Sequence, residues 1–196
     1  KRGDIGSSAA AYARGIYGQF NADAVTLSPY LGKDSIKPFL KDLDKAVFIL
    51  CQTSNPSAGE IQGHGDPPLF ETIAQKAKSW GSVDQIGLVV GATKPDALRI
   101  IRKVCPDQWI LAPGVGAQGG NLSEALQAGL RPDGLGLIIP VSRSVINAPD
   151  PRQASLDLRD AINTSRETFK PGTVVNEYEG LIKKLFEYQC VKFGDF

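Results

Sequence analysis

Short apolar runs alternate with amphipathic segments along most of this chain. Five runs are rich in Val, Ile and Leu, the pattern of strands buried on both faces of a parallel sheet. These predicted strands span residues 23–28, 46–53, 85–92, 109–113 and 134–141. The predicted helices span residues 7–20, 35–41, 68–80, 95–104, 123–128 and 156–169. Such alternation indicates βαβ units and an α/β fold with a parallel sheet.

Two folds have this alternation, an open doubly wound sheet and a closed (β/α)₈ TIM barrel. Five strands do not close a barrel, so the barrel interpretation expects roughly the first three strands mostly upstream of Lys1. The opening residues would then be the carboxyl end of a strand. We favour the TIM barrel, with its first strands upstream of the start of this chain, because of the two loops described below.

Composition and charge limit the classes of partner. The 196 residues include 22 basic and 21 acidic side chains, and a net charge of +1 offers no footprint for nucleic acid or a membrane surface. No apolar run approaches the ~20 residues that a membrane helix needs. Cys51, Cys105 and Cys190 are widely separated, which is typical of reduced thiols rather than a disulfide framework. We therefore expect a cytoplasmic protein with a small-molecule partner.

A glycine-rich loop, residues 114–120, follows the fourth predicted strand. It formally matches G-x-G-x-x-G, the dinucleotide fingerprint, so a nicotinamide dehydrogenase is one hypothesis. However, the fingerprint belongs after the first strand of its domain, and the next strand ends without an acidic residue. A barrel instead binds phosphate with the loops after its last two strands. Those loops supply Gln118 and Gly119, and Ser142 and Arg143.

Several single residues could carry chemistry. Arg143 suits a phosphate because its planar guanidinium can donate two parallel hydrogen bonds, although an isolated arginine is usually a solvated surface residue. Lys1 and Asp4 could face one pocket as a cation that stabilises negative charge and gives up a proton, or they form an ordinary charged pair. Ser54 ends the second predicted strand and either binds a ligand or caps a turn. His64 lacks the partners of a metal site or catalytic triad.

Five ordered motifs carry a family resemblance. Residues 1–6, Lys-Arg-Gly-Asp-Ile-Gly, resemble the second half of the D-x-K-x-x-D-I motif of orotidine 5'-monophosphate decarboxylases. The other four motifs are Thr-Leu-Ser-Pro-Tyr-Leu-Gly at 26–32, Gln-Thr-Ser-Asn-Pro at 52–56, Ala-Pro-Gly-Val-Gly-Ala-Gln-Gly-Gly at 112–120 and Ser-Arg-Ser at 142–144. The resemblance covers residue 1 to about residue 169 and implies a TIM barrel that decarboxylates orotidine 5'-monophosphate.

The resemblance also implies the site. Lys1 would stabilise and protonate the carbanion at C6 of the pyrimidine, and Asp4 would reach the neighbouring site of a homodimer. Ser54 would bind the pyrimidine, and Gln118 would bridge pyrimidine and phosphate. The substrate-binding residues that it implies are Ile5, Ser8, Ser54, Pro113, Gln118, Gly119, Ser142 and Arg143. It implies no metal and no organic cofactor.

The chain departs from the family pattern at both ends. A second lysine and two upstream aspartates of the family are missing, and we expect them in the parent polypeptide. Residues 181–196 are similar to the amino end of orotate phosphoribosyltransferases. The domains expected are thus a decarboxylase barrel at 1–172, and a linker with the first transferase helix at 173–196. A fusion with the decarboxylase before the transferase is known from kinetoplastids, where the location would be glycosomal, and from cyanobacteria.

Two further functions remain open at this point. A related phosphate-binding barrel lyase acting on a sugar phosphate shares the D-x-K-x-x-D arrangement, although Gln118 and the transferase-like tail count against it. An inactive fragment that only binds nucleotide or dimerises is the alternative from outside the enzymes. Residues upstream of Lys1 would distinguish that alternative from an active decarboxylase.

Overall fold

A computed structural model describes residues 1–116 and 118–168 of the chain. The strands are β1 (Ala24–Leu27), β2 (Ala46–Gln52), β3 (Ile86–Val90), β4 (Ile110–Leu111) and β5 (Leu137–Ile138). The helices are α1 (Gly6–Ala13), α2 (Lys33–Ile36), α3 (Ala58–Gln62), α4 (Leu69–Ala77), α5 (Pro95–Val104), α6 (Leu122–Gly129), α7 (Arg143–Ile146) and α8 (Pro151–Glu167). A π-helical turn, Arg14–Gln19, continues α1, and a 3₁₀ turn, Lys37–Leu40, continues α2.

The five strands form one parallel sheet in the order β1-β2-β3-β4-β5. The opening residues extend its first edge, because Arg2 forms a parallel bridge with Leu27. The Arg2 N–H donates to the Thr26 carbonyl at 3.2 Å, and the Ser28 N–H donates to the Arg2 carbonyl at 2.7 Å. Since Leu27 is the last residue of β1, the segment after Arg2 lies beyond the carboxyl ends of the strands, as the barrel interpretation predicts.

The core lies between the sheet and its helices. All five residues of β3 are buried, which explains its unbroken apolar run. Helix α5 begins at Pro95, which suits a first helical position, and buries Ala97, Leu98 and Ile101 against the sheet. Its polar residues Asp96, Arg99 and Lys103 are exposed. The apolar runs therefore place a rigid sheet beneath the loops at its carboxyl edge.

Most predicted elements are confirmed, although β4 and β5 are shorter than the strands predicted at 109–113 and 134–141. Helix α8 begins at Pro151 rather than residue 156, because the Asp150 carboxylate caps it by accepting from the Gln153 N–H at 2.9 Å. Helices α3 and α7 were not predicted. Trp109, the first residue of the fourth predicted strand, is half-buried, with the Arg131 guanidinium 5.2 Å from its ring centroid. The transferase-like helix predicted within residues 173–196 lies outside the described residues.

Arg102 joins four segments near the amino ends of β4 and β5. Its guanidinium donates to the carbonyls of Gly129 at 2.8 Å, Gln108 at 2.8 Å and Gly136 at 2.9 Å. It also donates to two carbonyls of the turn that follows α5. Burial, with the nearby Arg131 charge, lowers the pKa of Arg102 to about 10. The carbonyl contacts offset that burial.

We expect Arg102→Met to lower the free energy of unfolding by about 2 kcal/mol, because it leaves several partly buried carbonyls without a donor. Urea unfolding followed by circular dichroism measures the change. Arg99→Met is the matched control on the same helix, since the Arg99–Asp96 ion pair is exposed and such pairs contribute little. Equal losses in the two variants would contradict a specific role for the Arg102 contacts.

Candidate active site

The predicted site residues lie along the carboxyl edge of the sheet. Parallel strands bring their carboxyl ends to one edge, and in α/β barrels that edge carries the active site. Hydrogen bonding continues past the strand ends, since the Gly91 N–H donates to the Gln52 carbonyl and the Ala92 N–H to the Pro113 carbonyl, both at 2.8 Å. The loops after β2, β3 and β4 are therefore held side by side.

Ser54 and Gln118 are in direct contact although 64 positions separate them along the chain. The Ser54 hydroxyl donates to the Gln118 side-chain carbonyl at 2.7 Å. Gly91, the residue after β3, lets Ser54 pack closely against it, because a Cβ there would lie 3.0 Å from Ser54 Cβ. The pair retains an acceptor on Ser54 Oγ and two donors on Gln118 Nε2. It can therefore bind a planar ring that presents both donors and acceptors.

The glycine-rich loop folds tightly on itself and against the loop after β5. The Gly120 N–H donates to the Gly114 carbonyl at 2.9 Å, and a Cβ on Gly120 would lie 2.6 Å from that oxygen. Gly116 has a φ of +76°, and a Cβ there would lie 3.0 Å from Ser144 Oγ. Gly119 has a φ of +80° with open space around it. A loop of this kind can present N–H groups to an anion.

Arg143 is the first residue of α7, immediately after Ser142. Its side chain is exposed, and within the described ranges its guanidinium has no hydrogen-bond or ion-pair partner. Because Ser144 contacts Gly116, the backbone at Arg143 lies close to the glycine-rich loop. Both predicted phosphate-binding loops are therefore neighbours, as a barrel phosphate site requires.

Lys1 and Asp4 lie on either side of the bridge that Arg2 and Leu27 form. Lys1 is exposed and Asp4 is half-buried. The Asp4 carboxylate accepts from the Ile5 N–H at 2.8 Å, and a Cβ on Gly3 would lie 3.2 Å from Ser28 Cβ. These residues share the carboxyl edge with Ser54 and Gln118, although no direct contact joins the two groups within the described residues.

The remaining predicted residues also belong to this edge. Ile5 is 57% exposed, and Ser8 is exposed in the first turns of α1. Pro113 follows β4 and is half-buried. His64 is exposed in the turn between α3 and α4. Among residues 1–116 and 118–168 no three His, Cys, Asp or Glu side chains are grouped as metal ligands, and none of the helices described could span a bilayer.

Two polar features at this edge escaped the sequence analysis. The side chain of Gln62, at the end of α3, hydrogen-bonds the backbone and the hydroxyl of Thr53. Thr93 Oγ1, beyond β3, is buried and has no hydrogen-bond partner in the part of the chain that the structure describes. The motif at 52–56 was a signal for the contact between Gln62 and Thr53, because in that motif Thr53 directly precedes Ser54. No pattern in the sequence indicated the second.

Comparison with known proteins identifies the family. Residues 1–158 match the family described as orotidine 5'-phosphate decarboxylase / HUMPS. The chain belongs to this family. That result confirms the resemblance carried by the five ordered motifs.

Individual relatives agree with the family match. The chain is 49% identical over 176 residues to an orotidine 5'-phosphate decarboxylase of Roseiflexus castenholzii, covering 84% of this chain and 65% of that relative. A solved structure of Leishmania donovani OMP decarboxylase has 46% identity and a TM-score of 0.80, covering 85% of this chain and 66% of that one. A structure of Leishmania donovani UMP synthase has 45% identity and a TM-score of 0.83, covering 100% of this chain and 43% of that one.

These likenesses establish the fold class as a TIM barrel. The sheet order supports it, because parallel strands that neighbour one another in chain order are the arrangement of a barrel wall. An open doubly wound sheet would reverse its strand order at a switch point, and the described sheet does not. The chain spans 65% of the length of the Roseiflexus relative.

Proposed function

We propose that the polypeptide containing this chain decarboxylates orotidine 5'-monophosphate to uridine 5'-monophosphate in pyrimidine biosynthesis. The observation that carries the proposal is the contact between Ser54 and Gln118 in a chain of this family. The two residues come from loops far apart in sequence, and together they offer the donors and acceptors that a pyrimidine ring needs. The adjoining glycine-rich loop and Arg143 suit the phosphate of the same ligand.

The chemistry requires a fixed positive charge near the pyrimidine. Breaking the bond between C6 and the carboxylate releases carbon dioxide and leaves the electron pair on C6. The ring has no group that delocalises this pair, so a preorganised cation in a site without bulk water must stabilise it. In the proposal, the Lys1 ammonium supplies that charge and then transfers a proton to C6. Lys1 and Asp4 are therefore the catalytic residues of the proposed reaction.

Phosphate binding raises the rate in this proposal. The contacts made by Gln118, Gly119, Ser142 and Arg143 lie away from the reacting carbon. Binding energy from such a remote group can order the loops and align the charges around the reacting centre, which increases kcat as well as affinity. Ile5, Ser8 and Pro113 complete the set of substrate-binding residues. The proposal includes no metal and no organic cofactor.

The alternative is a barrel lyase acting on a sugar phosphate. The loss of orotidylate absorbance, measured with the complete polypeptide, distinguishes the two hypotheses. We expect turnover of orotidine 5'-monophosphate and none of pentulose phosphates. Binding of uridine 5'-monophosphate without any turnover by the complete polypeptide would instead favour a protein that only binds nucleotides.

A homodimer that shares Asp4 between subunits is a further part of the proposal. Ile5 and Tyr12 support an interface beside Asp4, because these large apolar side chains are 57% and 40% exposed. A complementation experiment tests it. Lys1→Ala and Asp4→Ala proteins are each expected to be inactive, whereas dimers reassembled from a mixture should recover about a quarter of the wild-type activity, since half of them would hold one intact site.

The complementation requires two controls. Each variant dissociated and reassembled alone should remain inactive, and a mixture of wild type with Lys1→Ala should retain about half of the activity per subunit. If the mixture of the two variants stays inactive although mass spectrometry detects mixed dimers, Asp4 acts within its own subunit.

The proposal extends to domain organisation and location. We assign residues 1–172 to the barrel and 173–196 to a linker and the start of an orotate phosphoribosyltransferase-like domain, and the match of the whole chain to a UMP synthase supports this. We also propose a cytoplasmic location, or a glycosomal one in a kinetoplastid, and the free Cys51 and Cys105 thiols support it.

A further inference from the structure

We propose that Gln62 is a positioning residue, which fixes Ser54 in the orientation that binds the pyrimidine. This inference rests on the proposed function, since it concerns the same ligand. Gln62 is the last residue of α3 and lies outside the predicted set of site residues. It acts through Thr53, the residue between the end of β2 and Ser54.

The contacts between Gln62 and Thr53 form a two-point clamp. The Gln62 side-chain carbonyl accepts from the Thr53 N–H at 2.7 Å, and Gln62 Nε2 donates to Thr53 Oγ1 at 2.9 Å. Thr53 Oγ1 in turn donates to the Asn55 side chain. An amide is suited to this clamp because it offers an acceptor and a donor on one planar group. The clamp therefore fixes both the backbone and the side chain of Thr53.

Fixing Thr53 restricts Ser54 because the two share a peptide group. Ser54 is also confined on its other sides. A Cβ on Gly91 would lie 3.1 Å from Ser54 N, so the backbones are closely packed there, and the Ser54 hydroxyl bonds Gln118. With Gln62 in place, one orientation of Ser54 satisfies all of these contacts. Without it, the loop between β2 and α3 gains conformations in which the hydroxyl is displaced.

Little else attaches α3 to the sheet. The helix has five residues, no side-chain cap, and a single buried residue, Ala58. Ile61 is 60% exposed, and glycines occupy positions 59 and 63. A helix this short is not stable by itself. The clamp therefore accounts for much of the attachment of α3 to the sheet. Because Thr53 directly precedes Ser54, the clamp also links that attachment to ligand binding.

The inference predicts a selective loss of pyrimidine binding. In the complete polypeptide, Gln62→Ala should weaken binding of uridine 5'-monophosphate by roughly tenfold, the size expected when one or two hydrogen bonds are lost. Binding of ribose 5-phosphate should not change, because that ligand lacks the base. Isothermal titration calorimetry measures both affinities. Gln62→Glu should lose less, since its carboxylate still accepts from the Thr53 N–H. Glu60→Gln, an exposed change on the same helix, is the control.

A second measurement needs no ligand. In ¹⁵N spectra, the side-chain amide signal of Gln118, assigned from its loss in Gln118→Ala, should shift in Gln62→Ala and stay in place in Glu60→Gln. An unchanged signal would overturn the inference and leave the proposed function intact. Equal weakening of both ligands would overturn it too, because general destabilisation would explain that result. A wild-type protein that binds ribose 5-phosphate but not uridine 5'-monophosphate would instead contradict the proposed function, and this inference with it.

Discussion

Lys1→Ala is expected to abolish decarboxylation while leaving nucleotide binding nearly intact. In the proposed reaction the Lys1 ammonium stabilises the C6 carbanion and supplies its proton, so two contributions are lost together. Each is typically worth ~10²-fold or more, and we expect kcat to fall by at least about 10⁴-fold. The affinity for uridine 5'-monophosphate should change little, because the charge that Lys1 stabilises is present only as the carboxylate leaves.

Lys1→Arg separates the two roles. A guanidinium keeps the positive charge but does not release a proton at working pH. If protonation is essential, Lys1→Arg should be nearly as inactive as Lys1→Ala. If charge alone dominates, it should recover part of the rate. Lys41→Ala, an exposed change between α2 and β2, is the control and should behave as wild type. Turnover retained in Lys1→Ala would contradict the proposed mechanism.

The fold was predictable because its strands lie in apolar runs, of which the central strand β3 is buried throughout. Continuous apolar runs such as residues 85–92 have no other simple structure between two helices, and β3 lies within that run. The last strand was predicted too long, at 134–141 against Leu137–Ile138. Gly134 and Gly136 have φ values of +75° and +87°, which interrupt an extended strand. Hydrophobicity marks where strands lie, and backbone conformation decides where they begin.

The site was predictable to the extent that topology determines it. Ser54 and Gln118 each follow a strand, and a parallel sheet brings such positions to one edge, so their contact follows from the order of the elements. The clamp by Gln62 was not predictable in this way. It depends on a five-residue helix with glycines on either side of its last turn, which has too few residues for a periodic pattern.

The distance from Lys1 to Ser54, like the clamp by Gln62, could not be predicted from the sequence. Arg2 pairs with β1, whereas Ser54 follows β2. That distance therefore depends both on how the strands pair and on the path of two loops. The sequence indicates the edge on which both residues lie. It does not indicate how far each loop reaches across that edge, because loop conformation depends on contacts such as those of Gly91 and Gln118.

Arg143→Ala is expected to lower kcat/KM for orotidine 5'-monophosphate by about 10³-fold, since the loss of a paired charge commonly costs several kcal/mol. Arg143 is exposed at the start of α7, and the next residue, Ser144, lies close to Gly116 of the glycine-rich loop. A bidentate contact from arginine to phosphate would be lost, and with it the remote binding energy that aligns the reacting groups. Part of the loss should therefore appear in kcat.

The substrate without its phosphate isolates this effect. Orotidine cannot use Arg143, so wild type and Arg143→Ala should turn it over at the same low rate. Arg152→Ala provides the matched control, because Arg152 is an exposed arginine near the start of the next helix, α8. It should leave kcat/KM unchanged for both substrates. An equal loss with orotidine would mean that Arg143 stabilises the fold rather than the phosphate, because only a contact with the phosphate disappears when the phosphate is removed.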